Sequence, residues 1–265
     1  MVTRAAVFIG PVLLLAQLQQ PAQLDFDGKG VEARQLIQKQ IDSADSPRAR
    51  ANAQRDMAMS WAFEGNCART VEYERQVMDY WASREAEEPG NAFYQEGEMA
   101  NEAARVCIDS GDLNAAATWY RKGTELGLKE PGISADRRAV WEFRLQHAEA
   151  RLAARRGDRA EADKHIALAR GALEAMTDSR AQQEAFFPYL TGYVAFYLGD
   201  YPKALADLQR ASQGDPFIQT LLGQTYDKLG KHEEALASYK KALLTRAHNP
   251  PAAYAVRIAG AQMHK

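Results

Sequence analysis

At 265 residues, 46% hydrophobic and 26% charged, the chain can bury one sizeable core or one extended repeat array. Its formal net charge of −2 gives no basic field to hold a polyphosphate, which removes nucleic acid from the expected partners.

The N-terminus, MVTRAAVFIGPVLLLAQLQQPAQ, places one cation (Arg4) before an apolar run from Ala5 to Leu15 and then small and polar residues. This is the pattern of a secretory signal peptide over residues 1–23. The run falls short of the roughly 20 apolar residues that a spanning helix needs, so the expected mature protein is periplasmic or secreted, with no membrane span. In LDFDGKG, Asp25 and Asp27 stand like the first ligands of a calcium loop, but the late glutamate is missing. Residues 24–45 therefore read as a solvated linker and an N-terminal helix.

From residue 46 to 250 one pattern recurs: an apolar helical stretch, a glycine, one polar residue, and a second helical stretch. The glycines are Gly65, Gly111, Gly157, Gly199 and Gly230, followed by Asn66, Asp112, Asp158, Asp200 and Lys231. Glycine suits the left-handed residue that ends a helix, and Asn or Asp caps the next one. No segment sustains the two-residue alternation of a strand. The fold class is all-α, with about five antiparallel helix-turn-helix units.

The second helices share a register. Five residues after the glycine stand Ala116, Ala162, Ala204 and Ala235, and nine after it stand Tyr120, Ile166, Leu208 and Tyr239. Seven residues before it stand Ala104, Ala150, Gly192 and Gly223. Small residues where helices cross, with a large one a turn later, are what a tight hairpin requires. This register resembles the tetratricopeptide repeat family, most closely in the last hairpin, where Leu222, Gly223, Tyr226, Gly230, Ala235, Tyr239 and Ala242 all fit. The turn glycines are spaced by 46, 46, 42 and 31 residues, against about 34 in the family, so the middle units are longer. The first unit departs most, with Thr70 in place of the small alanine. The resemblance implies hairpins stacked into a curved α-solenoid, and residues 251–265 then form a capping helix over its end.

In the hairpin arrangement Cys67 begins a second helix and Cys107 lies near the end of the next first helix, so a disulfide is within reach. Two unpaired thiols are the alternative. The chain contains none of the signatures GxxxxGK[ST], HExxH, GxSxG or GxGxxG, and its five histidines show no metal-ligand spacing. Charged helix faces account for carboxylates such as Glu85, Glu96 and Glu102. No catalytic, cofactor or metal residue is assigned, and an enzyme is the least supported reading.

The resemblance also implies that first helices line a concave face where peptides lie. Projected onto it are Glu98, Asn101, Glu102 and Arg105 from the second hairpin, Arg144, His147, Arg151 and Arg155 from the third, and Phe186, Tyr189, Tyr193 and Tyr197 from the fourth, with Phe217 following from the fifth. A new helix beginning at Pro188 would take Phe186 off this face. The steps of three and four residues put each set on one helical face. The aromatic set reads either as inter-repeat core or as a partly exposed groove, and the arginine set either as a salt-bridged face or as a carboxylate site. The functional expectation is an exported scaffold that binds an extended peptide of a protein partner. The alternative is a periplasmic protein for a small ligand or glycan.

Overall fold

The computed structural model describes residues 20–263, so most of the predicted signal peptide lies outside the described residues. Among the described residues the secondary structure is helical throughout, with no strand, and no helix is long and apolar enough to cross a membrane. A short pair, α1 (Pro21–Phe26) and α2 (Gly30–Asp42), precedes five hairpins. These are α3 (Pro47–Phe63) with α4 (Cys67–Ala82), α5 (Pro89–Ser110) with α6 (Leu113–Gly127), and α7 (Ala135–Arg155) with α8 (Arg159–Glu174). After a connection bearing α9 (Arg180–Glu184) come α10 (Phe187–Tyr197) with α11 (Tyr201–Leu208), and α12 (Pro216–Lys228) with α13 (His232–Ala242). The last helix is α14 (Pro250–Gln262). The order is that of a stacked α-solenoid.

Local chemistry sets the hairpin turns. Gly65, Gly111, Gly157, Gly199 and Gly230 all adopt positive φ, between 69° and 97°, a conformation costly for a residue with a Cβ. Asn66, Asp112, Asp158 and Asp200 then accept hydrogen bonds from the backbone N–H three residues on, capping the following helix. Lys231 makes no such bond, and α13 instead has Glu233 and Glu234 in its first turn. The small and large positions meet as their register requires. A Cβ on Gly223 would fall 2.4 Å from the Tyr239 ring, so that crossing admits only glycine. The long spacing of the middle units comes from α5 and α7, of 22 and 21 residues, against 13 in α12.

The N-terminal segment is part of the fold. Leu24 and Asp25 are buried, and Ile37 and Ile41 of α2 pack with Ala53 and Met57 of α3. Asp25 accepts a hydrogen bond from Ser60 Oγ at 2.7 Å and lies 2.9 Å from His248 Nε2. The expected solvated linker is thus an anchored helix pair, because buried Asp25 finds a partner on each side, Ser60 and His248.

Helix α14 covers the last hairpin, with Ala255 and Ala259 against Ala235, Tyr239 and Ala242. Its other side returns to the start of the array, where Ala252 and Ala253 pack with Ala62, Phe63 and Val106. Arg257 Nη2 donates to the Asp109 carbonyl at 3.0 Å. The solenoid therefore closes on itself. Cys67 and Cys107 form a disulfide, with Cα atoms 4.7 Å apart, that ties α4 to α5.

Candidate functional site

Closure of the array decides what happens to the inner helix faces. The Tyr193 and Phe217 rings are 0% exposed, packed with Tyr189, Leu208, Leu221 and Tyr254. Phe217 lies 4.4 Å from the Tyr254 ring and 5.7 Å from that of Tyr189. In place of an open tyrosine groove there is an aromatic core, because α12 and α14 fold over the stripe. Tyr197 is half-buried, and Arg155 donates to its hydroxyl at 3.5 Å. Tyr193, Tyr197, Phe217, Arg155 and Glu102 do not line the cavity described next.

The remaining predicted residues come together. Arg105 of α5, Arg144, His147 and Arg151 of α7, and Tyr189 of α10 line one cavity of about 330 Å³. Its wall is completed by Glu98 and Asn101 of α5, Tyr120 of α6, Phe143 of α7, and Gln182, Gln183 and Phe186 from the connection around α9. The helical steps from Glu98 to Arg105 and from Arg144 to Arg151 aim these side chains at one space. Phe186 immediately precedes α10, whose Pro188 starts a new helix, and its ring is 42% exposed at the site.

Three arginines in this wall face one glutamate. Arg144 takes Glu98 as its ion-pair partner and lies over the Trp141 ring. Arg105 Nε is 3.6 Å from Asp109 Oδ2, and its guanidinium sits 4.4 Å above Phe217. Arg151 is different. It is 5% exposed and donates to the Tyr120 hydroxyl at 3.1 Å, the Tyr189 hydroxyl at 3.4 Å and the His147 carbonyl at 3.3 Å. Among the described residues no carboxylate lies within ion-pairing distance of it. His147, 7% exposed, has its Nε2 buried without a partner. Burial, and next the charges of Arg151 and Arg105, hold its pKa well below the ordinary histidine value, so the imidazole is neutral.

A second cavity, of about 600 Å³, shares Arg144, Gln182 and Gln183 with the first and continues along α5 and α7 past Tyr94, Arg137 and Trp141. The connection that walls both is pinned by Asp136 in the first turn of α7. Its carboxylate accepts from the Thr177 N–H at 2.7 Å, the Asp178 N–H at 3.1 Å and the Ser179 N–H at 3.2 Å. Phe186 is among the residues projected onto the inner face and does line the cavity, whereas Gln183 and Tyr120 are not projected there. Tyr120 stood in the repeat register as a packing residue, while Gln183 sits in a connection that carries no repeat signal.

Residues 218–249, which span most of α12, all of α13 and the turn beyond, match the family model of the tetratricopeptide repeat. That segment carries a tetratricopeptide repeat. No curated protein sequence matches the chain. The repeat suggests a protein–protein interaction scaffold, and tetratricopeptide repeats are typically non-catalytic. The matched segment contributes no residue to the lining of the basic cavity, which comes from α5, α6, α7, the α9 connection and α10.

Proposed function

We propose that the protein is an exported scaffold that receives a segment of a protein partner along the depression formed by the two joined cavities between α5, α7 and the α9 connection. The observation that carries this reading is Phe186, an exposed aromatic ring at the rim of a basic depression. Aromatic and arginine side chains at the centre of a concavity are the usual anchors of a binding surface. Arg144, only half-buried, supplies the adjacent charge. Export is supported by the leader-like sequence and by the disulfide, which an oxidising compartment preserves.

The glycan alternative loses the tyrosine stripe as a platform, since Tyr193 and Phe217 are buried, and keeps Phe186 as the exposed ring at this depression. The test is capture of partners from a periplasmic or secreted fraction with the mature protein as bait, followed by affinity measurement on the captured protein. Phe186→Ala and Arg144→Glu are each expected to weaken binding at least about tenfold, as losing a hot spot does. Unchanged affinity in both variants rejects this surface.

A further inference from the structure

We propose that the depth of the first cavity is a binding site for a small organic carboxylate with a planar apolar body, a ligand separate from any protein partner. The proposal goes beyond the scaffold reading and stands without it.

The charge argument begins with Arg151. An unpaired guanidinium held 5% exposed is costly unless something compensates it. Partial compensation is present: the Tyr120, Tyr189 and Tyr193 rings lie 5.2, 5.9 and 5.7 Å from its centre, and it sits toward the C-terminal, partially negative end of α7. None of these is a full counter-charge. Glu98 is committed to Arg144, and Asp109, which faces Arg105, Arg151, Arg155 and Arg257 together, does not line the cavity. The lining thus keeps a positive excess, three arginines against Glu98, which Asp109 and Asp215 behind it offset in part and an anion in the cavity would complete.

The hydrogen-bonding inventory points the same way. The Tyr120 and Tyr189 hydroxyls each accept from Arg151, which leaves their protons to donate elsewhere. Arg105 and Arg151 are donors, and the buried, unpartnered His147 Nε2 adds a ring nitrogen that donates in one tautomer. A set so rich in donors matches a carboxylate, which when ionised only accepts.

The apolar lining selects the rest of the ligand. Phe143, Phe186 and Tyr189 present ring surfaces around the charged group, suited to a flat body. A volume of about 330 Å³ is at the lower end of the roughly 300 to 1,000 Å³ typical of small-molecule sites. That is room for a small molecule, while a stretch of polypeptide needs the longer depression that includes the second cavity.

The test is thermal unfolding of the purified, oxidised protein with millimolar sodium benzoate, sodium acetate, benzyl alcohol, or a blocked pentapeptide bearing one glutamate. Each is compared with sodium chloride at matched ionic strength. Benzoate is expected to raise Tm by about 2 °C or more, acetate less, and benzyl alcohol not at all. Arg151→Gln is expected to abolish the benzoate shift. Should that variant fail to fold, the contrast between benzoate and benzyl alcohol in the wild-type protein decides alone. A benzoate shift no larger than that of chloride overturns the proposal. So does a shift shared equally with benzyl alcohol, one retained in a folded Arg151→Gln, or one produced by the peptide but not by benzoate. Partner capture is a separate measurement, so the scaffold reading and this one can fail independently.

Discussion

The last hairpin and the third bury the same inner-helix register with different chemistry. In α12–α13 the crossing is glycine against tyrosine, Gly223 on Tyr239, and the residues around it, Leu221 and Leu222, are apolar and buried. In α7–α8 the crossing positions, Ala150 and Ala162, are equally buried, but one residue beyond Ala150 the inner face carries buried Arg151, with His147 a turn earlier. The crossing positions therefore hold the stack together in both hairpins. The inner face is where they differ, and of these two hairpins the third alone contributes to the charged cavity.

If that division is right, damage to a crossing position has the largest effect. Tyr239, 3% exposed with its hydroxyl donating to Asp227 at 2.7 Å, is the large partner of the last crossing. Tyr239→Ala is expected to lower unfolding stability by about 3–5 kcal/mol, the range for truncating a buried aromatic, as read by urea denaturation. A loss below about 1 kcal/mol would break the comparison, because the crossing would then not carry the stack.

Next in size is the disulfide. It ties α4 to α5, in the part of the chain where the repeat register is weakest and Thr70 stands in place of the small alanine. Closing a loop between residues 40 apart contributes roughly 3 to 4 kcal/mol in the chain-entropy model. Replacing both cysteines with alanine is expected to lower the denaturation midpoint accordingly, and a reducing agent should do the same to the wild-type protein. Thiol titration of the denatured, unreduced protein should find no free thiol.

Arg151→Met sharpens the other half of the comparison. Removing a buried charge that lacks a carboxylate relieves its desolvation cost, and apolar replacements of buried charges are often neutral or stabilising. Stability is expected to stay within about 1 kcal/mol of wild type or to rise, while anion binding is lost. A collapse of stability would make Arg151 a structural residue, as Tyr239 is.

What could be read in the sequence follows the range of the interactions. Turn glycines and their capping residues act over three or four positions, so the five hairpins were legible from spacing alone. The clustering of Arg105, Arg144, His147 and Arg151 was legible too, since helical period and hairpin register put them on facing surfaces. The burial of Tyr193 and Phe217 was one of two readings that the sequence left open. It depends on α14 returning to the first hairpins, through contacts such as that of Arg257 with Asp109, 148 residues apart. No periodicity encodes such a return. Phe186 was legible from its three-residue step to Tyr189, although a new helix begins around Pro188 and the Asp136 anchor holds the preceding connection.

The closure itself yields the smallest and most specific prediction. His248, between α13 and α14, stacks on Phe63, lies 2.9 Å from Asp25 and 3.9 Å from Asp56, and so joins the C-terminal end of the array to α1 and α3. Burial opposes its protonation, but the hydrogen bonds and charges of Asp25 and Asp56 prevail and raise its pKa above the ordinary histidine value. A raised folded-state pKa means that the unfolded chain releases this proton at lower pH than the folded one does. The stabilisation is therefore complete below the unfolded value of about 6.5 and disappears as pH rises through the higher folded value. Between pH 6 and pH 9 the wild-type protein is expected to lose more stability than His248→Gln, by under about 1 kcal/mol, with the two curves converging at the alkaline end. Parallel curves would mean that the charge on His248 does not help to hold the ends of the array together, leaving closure to the apolar contacts of Ala252 and Ala253 with Phe63 and Val106.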